Sequence, residues 1–180
     1  NISTSSPANG TFDFTLAAGS VEGLNGASLA AALTSSVEVD RIGPRVISHD
    51  PTDPTESFDA IEFTFSEDIP LGDFDTQHID SFTGPGGVDL SGEVSYVVAF
   101  EDRAFKRVVL DNPQTALGTY EMTIGPGITD RAGNAMDQDQ DGLTGEPLQD
   151  TYTATFTLSK TDLQPSNLSA PVSASLGDSI

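Results

Sequence analysis

Short segments in which apolar and polar residues alternate recur along the chain, and they constrain its possible folds more than any other feature. In FDAIEFTFSEDI (58–69), Ile61, Phe63 and Phe65 fall on one face of an extended chain, with polar residues between them. A period of two residues is typical of a β-strand with one buried face. The other predicted strands are EVSYVVAF (93–100), AFKRVVLD (104–111), TYEMTI (119–124), TYTATFTL (151–158) and the shorter RVIS (45–48).

Clusters of turn-forming residues separate these segments, as in 51–54, 84–87 and 125–127. Glycine tolerates a positive φ and proline presets φ near −65°, so such clusters reverse the chain between strands. Six or more short strands at this spacing predict an all-β fold, an Ig-like antiparallel β-sandwich. Only 71–80 and 27–36 offer a helical alternative, and both are short.

Two parts of the chain resemble each other. Residues 10–27 (GTFDFTLAAGSVEGLNGA) align without gaps on residues 118–135 (GTYEMTIGPGITDRAGNA), and the alternation and the turn positions are kept together. A repeat explains this better than the alternative, an accidental match of two strands with ordinary turns. We therefore expect 1–40 to be the C-terminal strands of a preceding Ig-like repeat, 41–160 a complete domain, and 161–180 a linker and the start of a further module.

Four segments of the predicted complete domain carry a resemblance to a known family. They are GPRVISHDP (43–51), FTFSEDI (63–69), LGTYEMTI (117–124) and ITDRAGN (128–134). In this order they resemble the bacterial Ig-like domains of the S-layer (SbsA-type) class, which occur in tandem in large secreted and surface proteins. Residues 162–177 look similar to the start of a cell-adhesion-related (CARDB-type) Ig-like domain. The resemblance implies a non-catalytic module of an extracellular multidomain chain.

One loop has a pattern that points to metal chemistry. In DQDQDGLTGE (137–146), carboxylates alternate with other residues and a glycine follows, which lets a short loop curl around Ca²⁺ and its 6–8 oxygen ligands. The expected ligands are the side chains of Asp137, Asp139 and Asp141, the carbonyl of Leu143, and the carboxylate of Glu146. Asp150 is the substitute for Glu146.

The loop differs from an EF-hand. That motif requires a bidentate Glu at its twelfth position, where this chain has Leu148, and the flanking segments read as strands. The expectation is a structural calcium loop between the last two strands. The alternative is a solvated acidic loop, and Mg²⁺ fits less well because it keeps its waters. Residues 29–33 (LAAAL) occupy the corresponding place in the preceding repeat, so the fold itself does not require the loop.

Composition excludes several classes of function. The chain has 28 acidic and 7 basic residues and a formal charge of −21, which argues against binding to nucleic acid. It has no cysteine, and no apolar run is long enough for a membrane span. His49 and His78 lack a zinc-binding spacing and are expected at the surface. Arg103, Lys106 and Arg107 are expected on the outer face of a hairpin.

The sequence therefore predicts a structural or adhesive Ig-like module of a secreted or cell-surface bacterial protein, not an enzyme, with a calcium site. The alternative is an accessory domain of a secreted hydrolase, acting as a spacer or binding carbohydrate. The expected partners are neighbouring Ig-like modules of the same chain and an extracellular or cell-surface polymer. The absence of Trp and the small number of Tyr lower the case for carbohydrate.

Overall fold

The protein folds into antiparallel sheets. The computed structural model describes residues 9–54, 56–99 and 104–160. Their strands are β1 (Gly10–Leu16), β2 (Leu33–Val39), β3 (Val46–Asp50), β4 (Phe58–Phe65), β5 (Ile79–Gly84), β6 (Val88–Asp89), β7 (Val94–Ala99), β8 (Phe105–Gln114), β9 (Gly118–Ile124) and β10 (Tyr152–Leu158). Two four-stranded sheets have the orders β10-β9-β5-β6 and β3-β4-β8-β7, and β1 and β2 form a separate pair. The predicted all-β, Ig-like antiparallel β-sandwich is confirmed.

The inner faces of the two large sheets form one core. Ile61 and Phe63 on β4 are completely buried, as are Tyr120 and Met122 on β9. The ring of Phe58 meets that of Tyr120 edge-to-face across the core, with centroids 4.8 Å apart. The alternation seen in the sequence is thus the alternation between core and solvent.

Tyr120 also ties its strand to the preceding turn. Its hydroxyl donates a hydrogen bond to the Ala116 carbonyl at 2.8 Å, while its ring stacks on Phe156 at 5.8 Å. A tyrosine bonded to backbone a few residues upstream is a feature of many Ig-like sandwiches. The bond lets the polar end of a buried aromatic residue remain satisfied.

The two helical alternatives were wrong. In 71–80, a 3₁₀ turn at Thr76–His78 leads directly into β5, which the sequence analysis missed. In 27–36 there is no helix, and β2 begins at Leu33. Both segments are too short for a helix to be stable without a face to bury, whereas β5 buries Phe82 completely.

Lys106 is a second correction. The sequence analysis placed it on an outer face, but it is 1% exposed and its ammonium donates to the Ile69 carbonyl at 2.8 Å. Arg107, the next residue, does face outward and lies 3.6 Å from an Asp59 carboxylate oxygen. Arg103 lies outside the described residues. His49, expected at the surface, is a half-buried residue of β3, and its Nδ1 is 2.7 Å from the Tyr152 hydroxyl.

The β1–β2 hairpin has the same register as the β9–β10 pair. Gly10 pairs with Val39 at one end and Leu16 with Leu33 at the other; the corresponding pairs are Gly118 with Leu158 and Ile124 with Tyr152. The first residue of each hairpin is a glycine with nearly the same φ, 134° at Gly10 and 135° at Gly118. Paired threonine hydroxyls also recur, Thr15 with Thr34 and Thr123 with Thr153. The sequence similarity is therefore also a similarity of strand pairing.

The two hairpins differ in what covers them. In β9–β10, the apolar face lies in the core of the sandwich. In β1–β2, the equivalent side chains of Phe12, Phe14 and Leu16 are exposed, and neither strand pairs with any other described strand. The described part of the chain thus contains one sandwich and an additional hairpin with a free apolar face.

Candidate metal site

The acidic loop connects β9 to β10 and is fixed at both ends. Met136, at its start, is completely buried, and its carbonyl accepts a hydrogen bond from the Gly145 amide. At the other end, the Asp150 amide donates to the Glu146 carbonyl at 3.0 Å, immediately before β10. The loop is therefore closed on itself by backbone hydrogen bonds.

Three carboxylates converge inside this loop. One oxygen each from Asp137, Asp139 and Asp150 lies within 4.8 Å of the other two. Asp137 is 6% exposed and Asp150 0% exposed, whereas Asp139 is open to solvent. Both oxygens of Asp150 accept backbone hydrogen bonds at 2.8 Å, from the Gln138 and Glu146 amides. Asp150 is thus held rigidly at the base of the loop.

Two carboxylate oxygens near this cluster lack partners. Oδ1 of Asp137 and Oε2 of Glu146 are both buried and accept no hydrogen bond. Burial raises the pKa of the Glu146 carboxyl, and Asp141, Asp150, Asp139 and Asp137 raise it further by repulsion. The Glu146 carboxylate is therefore exposed to the negative electrostatic potential of the three clustered carboxylates and of Asp141.

The predicted ligands are only partly brought together. Asp137 and Asp139 join the cluster, and Glu146 lies beside it through its amide bond to Asp150. Asp141 and Leu143 do not join it: both are exposed, and the Leu143 amide donates to Asp141 Oδ1 at 2.7 Å. The Asp141 side chain therefore shapes the turn. Asp150, which the sequence analysis named only as a substitute, is the third member of the cluster.

The segment before β3 packs against this loop. The Asp137 amide donates to the Pro44 carbonyl at 3.1 Å, and the Gln138 side chain bonds to both backbone groups of Val46. Gly43 lies so close that an added Cβ would be 2.0 Å from the Ala135 carbonyl oxygen. The loop, the entry to β3 and the start of β10 are therefore mechanically connected.

A second acidic cluster lies nearby, and the sequence analysis missed it. Carboxylate oxygens of Asp40, Glu67 and Asp130 lie within 4.8 Å of one another. Both Asp130 oxygens are already bonded, to the amide and the side-chain nitrogen of Asn134. Asp130 thus stabilises the turn that ends at Asn134, and this second cluster has no unbonded buried oxygen. Asp40, Glu67 and Asp137 also line a cleft of about 710 Å³.

Glu67, the member of the second cluster that follows β4, is half-buried. Burial first, then repulsion from Asp130 and Asp40, raises its pKa to about 7. Other charged groups lining the clefts beside it are Glu38, Arg41, Arg45, Asp68, Arg131, Asp137 and Asp141. A carboxyl with a raised pKa binds more protons in the folded state, so its ionisation opposes folding.

We expect Glu67→Gln to remove part of the pH dependence of stability. From the ordinary pKa of 4.5 up to about 7, the contribution of Glu67 to the free energy of unfolding should fall as pH rises, because its carboxyl ionises at a cost in the folded state. The glutamine variant should lack this contribution. Chemical denaturation at a series of pH values measures the difference. A difference between the two proteins that stays constant from pH 4 to about 8 would contradict the expectation.

Comparison with known families adds one decisive match. Residues 40–144, more than half of the chain, match the family model described as "Bacterial Ig-like domain". The chain belongs to this family. The part of the Ig-like domain that matches includes β3 to β9 and the acidic loop as far as Thr144, and it begins just after β2.

Two solved structures are similar to this Ig-like chain. One is the surface layer protein SbsC, domains 1–6, and the other is a crystal structure of the S-layer protein rSbsC. Each is 19% identical with a TM-score of 0.47, and each alignment covers 66% of this chain and 14% of the other. The chain therefore spans about one seventh of those structures. No curated protein matches the chain. The described residues include no helix with the length and apolar character of a membrane span.

Proposed function

We propose that the chain is a non-catalytic structural segment of a bacterial cell-surface or secreted protein, in which Ig-like domains follow one another in tandem. Membership of the bacterial Ig-like family supports such a role. The role of such a segment is to hold other parts of the protein at a fixed separation.

The observation that carries the proposal is the matched pairing of the two hairpins. β1–β2 repeats the register, the opening glycine and a threonine pair of β9–β10. A hairpin with these properties is the last strand pair of an Ig-like domain. Its exposed apolar face, with Phe12 and Phe14, is what such a pair presents to the facing sheet of its own domain.

A non-catalytic role also fits the polar groups of the domain. Of the two histidines, His49 bonds to the Tyr152 hydroxyl and His78 to the Asp75 carboxylate at 3.0 Å. Within the described ranges, no serine hydroxyl is hydrogen-bonded to a histidine, so a nucleophile and base are not assembled. The charge of −21 keeps neighbouring domains soluble and apart.

Two measurements test the proposal. Antibodies against the 180-residue chain should label intact cells of the source bacterium or detect the protein in its medium; labelling only after permeabilisation would contradict a surface role. In a longer chain that includes the proposed preceding domain, the backbone amides of β1 should exchange hydrogen as slowly as those of β9, while in the 180-residue chain β1 should exchange faster. Fast exchange of β1 in both proteins would contradict the tandem arrangement.

A further inference from the structure

We propose that Asp137, Asp139 and Asp150, together with Glu146, bind one Ca²⁺ ion in the loop between β9 and β10. This ligand set differs from the alternating Asp137, Asp139 and Asp141 of the local sequence pattern. The site is independent of the proposed surface role, because it depends only on the geometry of one loop.

The first support is the position of an unsatisfied oxygen. Asp137 is 94% buried, its Oδ1 accepts no hydrogen bond, and its other oxygen accepts only a 3.2 Å bond from the Gly142 amide. A buried carboxylate oxygen without a partner destabilises the folded state, because it has lost its hydrogen bonds to water and gained none in return. This oxygen belongs to the carboxylate that joins Asp139 and Asp150 within 4.8 Å. A cation would supply the missing partner.

The second support is Glu146. Its Oε2 is also buried without a hydrogen-bond partner, and its amide is bonded to Asp150. Two unbonded buried oxygens therefore belong to this one loop, on Asp137 within the cluster and on Glu146, whose backbone is bonded to it. Coincidental burial of one acidic side chain does not explain both.

The negative charge of the four carboxylates also supports a bound cation. In the described residues, no Lys or Arg forms an ion pair with any of the four carboxylates. Arg41 and Arg45 line the neighbouring cleft without reaching ion-pair distance. Carboxylates this close repel one another unless a cation intervenes. Their natural counter-charge is a divalent ion.

The donor set selects calcium. All donors are oxygens, and neither histidine nor cysteine is present, so zinc and the softer metals lose their preferred ligands. Ca²⁺ accepts 6–8 oxygens in irregular geometry, whereas Mg²⁺ requires a near-octahedral shell and keeps its waters. Four carboxylates supply enough oxygens for calcium when some bind through both.

The rest of the loop turns sharply, and hydrogen bonds between its own side chains and backbone stabilise these turns. Gln140 and Gly142 both adopt positive φ, at 64° and 87°, and so turn the chain twice within three residues. Side chains of Asp139 and Asp141 accept amide hydrogen bonds from the residues two positions on. Asp141, unlike Asp139, is not a member of the carboxylate cluster, so we assign it to the turn and give it no place in the coordination shell.

The ion would connect the end of the loop to its beginning. Asp150 lies at the entry to β10, while Asp137 is bonded to Pro44 just before β3. Binding to the folded state alone stabilises it by RT ln(1 + [Ca²⁺]/Kd), about 2.7 kcal/mol at one hundred times Kd. Calcium would thus stiffen the corner where the chain enters the domain.

Calorimetric titration with CaCl₂ tests the site, using the 180-residue chain first dialysed against chelator. We expect one ion per chain with a Kd near 10⁻⁴–10⁻³ M, as in extracellular calcium modules, and a higher unfolding midpoint in calcium. MgCl₂ should bind at least about tenfold more weakly. Absence of binding heat together with an unchanged midpoint, or equal affinity for Mg²⁺, would overturn the calcium site.

Three variants test the ligand set. Asp139→Asn, at an exposed position, should weaken calcium binding at least about tenfold, and Asp150→Asn should do the same. Asp141→Asn is the matched control from the same loop and should change the affinity by no more than about threefold, as expected for a screened charge outside the shell. Because Asp150 is buried, circular dichroism must show that its variant is folded; if it is not, Asp139→Asn decides. Loss of binding in Asp141→Asn with retention in Asp139→Asn would overturn the assignment.

Discussion

Met122→Ala is expected to lower the free energy of unfolding by about 2–5 kcal/mol, the range for removing a large buried side chain. Met122 lies on the inner face of β9 and is 0% exposed in the core between the two sheets. Its truncation leaves a cavity that close-packed neighbours fill only in part. Denaturant titration followed by circular dichroism measures the loss.

Phe14→Ala provides the matched control. Phe14 occupies the same place in the β1–β2 hairpin, 108 residues earlier, but is 44% exposed. In the 180-residue chain, we expect a change of less than about 1 kcal/mol, because no sheet covers it in the described structure. In a longer chain that includes the proposed preceding domain, the same substitution should cost as much as Met122→Ala. Equal effects of the two substitutions in the 180-residue chain would show that this hairpin is already covered.

The longer strands could be predicted because the alternation of apolar and polar residues lies within each strand segment. In β4, every second residue from Ile61 to Phe65 is buried, so a single segment reveals both its conformation and its inner face. The sequence signal for β5 is weaker than that for β4. A register shift between Ile79 and Ser81 interrupts the alternation of β5, and Phe82 is the only large side chain of this strand that is deeply buried. β6, with two residues, is too short for any pattern.

Lys106 shows a different limit. It continues the inward series with Val108 and Leu110, and the alternation of β8 therefore pointed to burial. The positive charge of Lys106 instead predicted an exposed side chain, because lysine is almost never fully buried without a partner. The partner is the carbonyl of Ile69, 37 residues away in sequence, and no local signal identifies it.

The candidate metal site likewise contains some residues that the sequence predicts and some that only the folded structure brings together. Asp137 and Asp139 were predictable because their spacing within the loop is local. Asp150 reaches the cluster because the loop folds back before β10, and its role depends on amide bonds from Gln138 and Glu146. The second cluster combines Asp40, Glu67 and Asp130, which are far apart in the sequence. It can therefore be identified only from the folded structure.

Gly43→Ala should separate the entry segment from the loop. An alanine Cβ would lie 2.0 Å from the Ala135 carbonyl oxygen and 3.1 Å from the Asp137 amide nitrogen, and both of these are backbone atoms that cannot rotate away. We expect the two backbone segments to move apart to relieve the overlap, which would lengthen or break the hydrogen bond from the Asp137 amide to the Pro44 carbonyl. We expect a loss of about 1–3 kcal/mol in the free energy of unfolding, as for other overpacked sites.

The same change should weaken calcium binding, because the Asp137 backbone loses the bond that fixes it. Thermal unfolding in calcium and in chelator measures both effects in one experiment. Gly92→Ala is the control: its Cβ would meet no atom within 4 Å, so it should leave stability within about 0.5 kcal/mol and leave the calcium-induced shift unchanged. If Gly43→Ala lowers stability but keeps the full calcium shift, the entry segment supports the domain without positioning the loop. Loss of both would mean that contact between the entry segment and the loop helps to form the metal site.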